Sequence, residues 1–292
     1  MFRGTYTAIV TPFRDGALDE TAFTHLVEWQ VESGISGIVA VGTTGESPTL
    51  DHEEHTRVIE LTVQTALGRC KVIGGTGSNS TAEAIALTQE AEAVGVDAAL
   101  LVTPYYNKPT QEGLFRHYQA IASRTKLPLI LYSIPGRCGI DIAVDTAVRL
   151  ARECPNVVSI KEAGGSVERV SQLRAALPAG FTILSGDDSL TLPFMSVGAE
   201  GVISVASNII PREMVRMVEA FSTGNLAEAR ELHGRYYPLF RDLFIETNPI
   251  PIKTAVSMAG RIAPDFRLPL CEMSPANAAK LLATLRNLNL VK

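Results

Sequence analysis

Eight short runs rich in β-branched and apolar residues recur along the chain, each followed by a stretch with helical patterning. They are Thr7–Val10, Gly37–Val41, Val72–Gly74, Ala98–Val102, Leu129–Tyr132, Val157–Lys161, Thr182–Leu184 and Val202–Val205. Most lie roughly 25–35 residues apart, the cadence of strand–helix units in a parallel barrel. The intervening segments carry helix signals. Ser80 and Glu83 are spaced as a capping box, with Gly95 as the stop, and Asp51 and Glu54 form a second such pair. Ser166 opens one helix and Pro211 another. A doubly wound open sheet would alternate in the same way, but eight units within about 220 residues favour closure. The predicted fold is therefore α/β, a (β/α)8 TIM barrel over residues 1–224. After Thr223-Gly224-Asn225 the β signal stops. Leu226–Thr247, Pro249–Gly260 and Ser274–Leu288 read as helices, giving a C-terminal helical domain over 225–292. No low-complexity linker precedes it, so it is expected to pack on the barrel.

Composition excludes several classes of function. Of 292 residues, 46% are hydrophobic and 20% charged, enough apolar material for a large core. The net charge of −5, with no Lys/Arg run, argues against nucleic acid as a partner. The N-terminal Met1-Phe2-Arg3-Gly4 lacks a signal-peptide pattern, and no stretch has the length and apolarity of a membrane span. Cys70, Cys138, Cys154 and Cys271 are scattered without a C-x-x-C, so reduced thiols in a cytoplasmic protein are expected. His52-Glu53-Glu54-His55 fails as a zinc motif, because the second histidine would have to stand where Thr56 does. No metal is predicted.

In a barrel, reactive groups gather at the C-terminal ends of the strands. The chain has seven lysines, and of these Lys161 alone ends an apolar strand, Val157-Val158-Ser159-Ile160-Lys161. A lysine there is poorly solvated, which favours the neutral, nucleophilic amine. The bland alternative, a pair with Glu162, is weakened because alternation turns Glu162 to the opposite face. Tyr132 ends the fifth run, either as a proton relay or as an aromatic closing the barrel core. Gly42-Thr43-Thr44-Gly45-Glu46-Ser47 follows the second run, as a carboxylate-binding turn or a hydroxyl-capped helix start. Tyr105 and Tyr106 fall just past the fourth, as a lid or an interface. Arg137 is the fixed cation close to Tyr132, a carboxylate clamp or one half of a surface salt bridge.

Taken together these residues resemble the dihydrodipicolinate synthase/N-acetylneuraminate lyase family of class I aldolases. The likeness runs from Ala8-Ile9-Val10-Thr11-Pro12 to Asn248-Pro249-Ile250-Pro251-Ile252-Lys253. Gly42-Thr43-Thr44-Gly45-Glu46, Tyr132-Ser133-Ile134-Pro135 and Ser159-Ile160-Lys161-Glu162 stand in order between them. Thr43-Thr44, Arg137 and Thr103-Pro104-Tyr105-Tyr106-Asn107 resemble the synthase branch, since the sialic-acid lyases carry Ser-Thr at the first of these. Cys138 departs from a common threonine and Pro48 from a common alanine.

The resemblance implies condensation of pyruvate with L-aspartate 4-semialdehyde to 4-hydroxy-tetrahydrodipicolinate, at the entry to diaminopimelate and lysine synthesis. Lys161 would form the imine, and no cofactor is implied because that imine is itself the electron sink. Thr43, Tyr132 and Tyr106 would relay protons, with Tyr106 reaching in from a neighbouring subunit of a homotetramer (a dimer of dimers). Thr44 would hold the pyruvate carboxylate and Arg137 the second substrate, while Gly186 and Ile203 would offer backbone carbonyls near the imine. A second site, at Ser47, His52, His55, Asn79, Glu83 and Tyr105, would bind L-lysine as feedback inhibitor. Two alternatives remain open. One is another pyruvate-dependent aldolase, such as an N-acetylneuraminate lyase or a keto-deoxy-sugar-acid aldolase. The other is a ligand-sensing relative without catalysis, although that reading predicts loss of Lys161 or its relay residues.

Overall fold

A computed structural model describes residues 2–292. All eight runs are strands: β1 Gly4–Ala8, β2 Gly37–Ala40, β3 Lys71–Gly75, β4 Ala98–Val102, β5 Leu129–Ser133, β6 Val157–Glu162, β7 Thr182–Ser185 and β8 Gly201–Ser204. They close in sequence order, with β1 parallel to both β2 and β8, so the barrel reading holds against the open sheet. The first strand starts earlier than its β-branched run suggested. The Val10 N–H donates to the Asn208 side chain at 3.0 Å and Thr11 Oγ1 to the Gly45 carbonyl at 2.7 Å, so these residues leave the ladder. A short hairpin, Phe13–Arg14 with Ala17–Leu18, follows.

Two apolar layers hold the barrel. Tyr6, Val39, Ile73, Leu100, Ile130, Leu184 and Ile203 fill its interior, and a larger cluster packs strands against the surrounding helices. The interior is tight enough to dictate sequence. A Cβ on Gly37 would lie 2.6 Å from the Tyr6 ring, so glycine lets the aromatic fill the floor.

Helix starts follow the caps in the sequence, with one correction. Asp51 and Glu54 form a complete box at α2, after α1 (Glu20–Glu32) and at the start of His52–Ala66. At α3, Thr81–Val94, only half of the expected box forms. Ser80 Oγ accepts from the Glu83 N–H at 3.4 Å, but the Glu83 carboxylate turns to Ser78 and His52. Ser78 Oγ takes the Ser80 N–H instead, at 3.0 Å, so the freed donor is still satisfied.

The remaining barrel helices are α4 Gln111–Ala122, α5 Val144–Glu153, α6 Val167–Ala176, α7 Thr191–Ser196 and α8 Pro211–Ser222. Three C-terminal helices follow: α9 Leu226–Asp242, α10 Ile250–Met258 and α11 Pro275–Asn287. The first ends five residues short of the expected Thr247. The chain turns at Leu243 and carries Asn248 to the mouth of the barrel, where its Nδ2 donates to Thr44 Oγ1 at 3.0 Å.

Candidate active site

Strand alternation decides which way each end of β6 faces. Lys161 sits level with Tyr132 on β5 and Leu184 on β7, so its side chain points inward and is 6% exposed. Glu162 turns outward, accepting from Arg169 Nε at 2.9 Å and from the Gly164 N–H at 2.8 Å. The neighbouring carboxylate is thus committed elsewhere and leaves the amine unpaired.

Burial pushes the Lys161 amine down to about 7; the Arg137 charge acts the same way, while Asp188 opposes it. Its Nζ lies 4.2 Å from the centre of the Tyr132 ring. Tyr132 is pushed up to about 12 by burial, against a hydrogen bond to Thr43 that favours the phenolate. At neutral pH the pair is an amine with a large neutral fraction beside a phenol that keeps its proton. The first can add to a carbonyl, and the second can donate to the oxygen that leaves.

The turn after β2 is bent tightly. Val41 and Glu46 have φ of 51° and 55°, left-handed values that are costly for residues with a side chain. Gly45 N–H closes onto the Gly42 carbonyl at 3.0 Å. Two ties hold the turn from the C-terminal helices: the Asn248–Thr44 bond, and an ion pair from Lys253 on α10 to Glu46. Burial places Thr44 inside at 3% exposure, with Thr43 next to it facing Tyr132.

Arg137 sits on the short helix Pro135–Cys138 that follows β5. Its Nη2 donates to the Asn248 carbonyl at 2.8 Å, and among the described residues no carboxylate pairs with it. The salt-bridge alternative therefore fails, and the guanidinium remains available to an anion. Gly186 lies against the lysine: a Cβ there would come within 3.1 Å of Lys161 Cε and 2.7 Å of Ala163 Cβ. Ile203 is fully buried on β8, in register with Tyr6.

One cavity of about 430 Å³ runs from Thr43, Tyr132 and Arg137 to Ser47, His52 and Glu83. His55 and Tyr105 line it too, and Asn79 adjoins through a 3.2 Å bond from its Nδ2 to the Tyr105 carbonyl. The two histidines, one helical turn apart, do different jobs. His52 Nε2 is 3.2 Å from Glu83 Oε1 and largely exposed, whereas His55 is buried with Nε2 2.9 Å from the Gly75 carbonyl. Hydrogen bonds from Ser78 and then His52 hold the Glu83 carboxyl below its ordinary range. Cys138 lines the same cavity, its thiol pushed up to about 11 by burial. Tyr106 is the exception among the residues expected to relay protons. It stands at φ 71° and is 90% exposed, outside the cavity formed by its own chain.

Sequence reading missed three participants. Asn248 and Lys253 bound the last stretch of the family likeness but were given no role, because they lie beyond the point where the β signal stops. Asp188, two residues past Gly186, is 1% exposed and carries one carboxylate oxygen without a partner. The pair Asp187-Asp188 at a strand end was its one available signal.

An inward lysine amine, pushed down toward neutrality by burial at the mouth of a closed parallel barrel, suits a barrel enzyme that works on carbonyl compounds. Fold and mouth alone do not choose its substrates. Comparison with known proteins narrows the class, for the dihydrodipicolinate synthetase family matches residues 1–288, and the chain belongs to that family. Over 292 residues it is 53% identical to the 4-hydroxy-tetrahydrodipicolinate synthase of Thermodesulfovibrio yellowstonii, covering 100% of both chains. The solved 4-hydroxy-tetrahydrodipicolinate synthase of Methylacidiphilum fumariolicum SolV superposes with a TM-score of 0.98 at 58% identity, over 99% of this chain and 96% of that one. The enzyme of Cyanidioschyzon merolae, solved with lysine bound, gives 0.97 at 42% identity, over 99% of each chain.

Proposed function

We propose that this protein condenses pyruvate with L-aspartate 4-semialdehyde to 4-hydroxy-tetrahydrodipicolinate, the entry step of diaminopimelate and lysine synthesis. One observation carries the mechanism: the inward amine of Lys161, lowered to about 7 and facing Tyr132. Its neutral form adds to the pyruvate ketone, and loss of hydroxide, taken off as water by a proton, leaves a protonated imine. That cation draws electrons from the methyl carbon, so a methyl proton leaves and an enamine forms. The enamine carbon attacks the semialdehyde carbonyl, which takes up a proton. The substrate amino group then displaces the lysine nitrogen, closing the ring and freeing Lys161. Since the imine is the electron sink, the reaction as written uses no further cofactor.

Each site residue takes a role its position supports. Thr43 and Tyr132, near enough for the hydroxyl to act on the phenol, pass protons. Thr44 holds the pyruvate carboxylate, and Arg137 holds the semialdehyde carboxylate. Gly186 and Ile203 flank the imine with main chain. Tyr106, exposed on its own chain, completes the relay of a neighbouring subunit in a homotetramer. The barrel, 1–224, is the catalytic unit, and 225–292 forms a helical domain on it. L-lysine binds at the far end of the cavity, where Glu83 meets its ammonium group beside Ser47, His52, His55, Asn79 and Tyr105. The lysine-bound relative supports this reading.

An assay offering pyruvate with either aspartate semialdehyde or N-acetylmannosamine tests the substrate pair. Turnover is expected with the semialdehyde; turnover confined to the amino sugar would assign the chain to the lyase branch.

A further inference from the structure

The seam between β7 and β8 is the sparsest in the barrel. One register pair, Val202 with Ser185, joins these strands, against four between β6 and β7. Just past it, Asp188 does the joining. The residue follows β7, and its Oδ2 accepts from the Val205 N–H at 3.1 Å and the Ala206 N–H at 2.8 Å, immediately after β8. The carboxylate therefore bridges the segments that begin at Gly186 and Ile203, and Gly186 lies against the Lys161 side chain. Oδ1 is buried and meets no hydrogen-bond partner at bonding geometry among the described residues, although the Ser204 hydroxyl lies near enough to favour the carboxylate.

Such an oxygen is costly to hold in a dry site unless a positive charge faces it for part of the cycle. In the free enzyme burial pushes Asp188 up to about 6, and Lys161 is largely uncharged above about 7. Imine protonation places a full positive charge at the same position. Tyr132 from β5 stands 4.2 Å from the Lys161 amine, and the charges that act on it are Asp188, which favours the ammonium, and Arg137 from the short helix after β5, which opposes it. Around Asp188 stand Asp187, the Ser204 hydroxyl and the two backbone amides. Glu162 and Arg169 are paired on the outer face and take no part. Of these groups, Asp188 is the carboxylate whose charge the amine senses.

We propose that Asp188 is a positioning residue for the pyruvate imine. It fastens the ends of β7 and β8 around Lys161, and its free oxygen supplies the negative charge that balances the iminium. This rests on Lys161 carrying the imine. Atoms balance without a co-reactant: the amine and the ketone give the iminium with loss of hydroxide, taken off as water by a proton from solvent or from Asp188 where it holds one.

Asp188→Asn keeps an oxygen for the two amides and removes the charge, whereas Asp188→Ala removes both. Borohydride trapping with pyruvate across pH, with peptide mapping, reads the effect. For Asp188→Asn the acid limb of trapping is expected to move down by about one pH unit while pyruvate affinity falls about tenfold, since one unit of differential stabilisation is one tenfold step. A merely structural role would not move the limb. Asp188→Ala should lose affinity as well and melt at a lower temperature. If wild type traps pyruvate on Lys161 and Asp188→Asn matches it in limb and affinity, the role of Asp188 is overturned while the imine reading stands. No wild-type adduct on Lys161 overturns both. Infrared difference spectra of the wild type at pH 6 need no variant to fold. Loss of a protonated aspartic band on adding pyruvate supports the proposal, and an unchanged carboxyl region counts against it.

Discussion

Lys253 and Glu46 form an ion pair almost wholly withdrawn from water, their side chains 1% and 0% exposed, between helix α10 and the turn that carries Thr43 and Thr44. The ammonium also lies 4.4 Å from the centre of the Phe13 ring and 5.0 Å from that of Phe266. Burial lowers the Lys253 pKa and Glu46 raises it, so the pair is bound tightly into an apolar setting. Removing one partner leaves an uncompensated charge. Lys253→Met is expected to cost about 3–5 kcal/mol in urea unfolding, and Lys253→Met with Glu46→Gln should recover part of it. Equal stability of single and double variants would show that the charges are not coupled.

The amine of Lys161 sets the acid side of the pH profile. Its pKa is lowered to about 7, and the reactive form is the neutral one. kcat/KM for pyruvate should therefore rise with pH through about 7 and level off above it. At pH 6 about a tenth of the plateau value is expected, one unit below the pKa. Borohydride reduction with pyruvate should place the adduct on Lys161, and an adduct mapped to another lysine would refute the mechanism.

Arg137 is held by the Asn248 carbonyl and pairs with no carboxylate among the described residues. Arg137→Ala should damage use of the semialdehyde by roughly tenfold or more, the worth of hydrogen bonds to a charged group. Imine formation with pyruvate should be spared. If trapping and semialdehyde use fall together, the residue is holding the site together rather than clamping a substrate.

Tyr106 calls for a subunit-mixing experiment. Inactive Tyr106→Phe and Lys161→Ala subunits, mixed and shown to form hybrids, should recover part of the activity. One site of each mixed pair then holds both groups. Silence from proven hybrids would mean that each site is built within a single chain.

For L-lysine, titration should give partial inhibition of the wild type, weakened in Glu83→Ala. Glu83 is ionised well into the acid range, because Ser78 and His52 hold its carboxyl down. The ammonium partner is therefore present across neutral pH. Undiminished inhibition in the variant would move the site elsewhere.

The barrel was readable because its strands are buried on both sides, which forces continuous β-branched runs such as Ala98–Val102 and Val157–Lys161. Boundaries were less so: β1 lies earlier than expected since Val10 gives its N–H to Asn208, a partner 198 residues away. The same applies to the site. Lys161 could be picked out by where its strand ends, and Glu162 by alternation. Asn248, Lys253 and Asp188 could not, because each takes its place at the site through a partner distant in sequence or through the loss of water around it. The half-formed box at Ser80 failed for a related reason. Glu83 satisfies a local rule on paper, but His52 and Ser78 compete for its carboxylate in space.

Tyr132, Arg137, His52 and Glu83 all line one hollow. A single tethered molecule can therefore occupy both ends of one chain, a carboxylate at Arg137 and an ammonium at Glu83. Joining two such weak fragments makes the second encounter intramolecular, with gains of about 10²–10⁴ when the tether fits the span. Selectivity over related enzymes could then be written into the tether, since Pro48 and Cys138 line the same hollow.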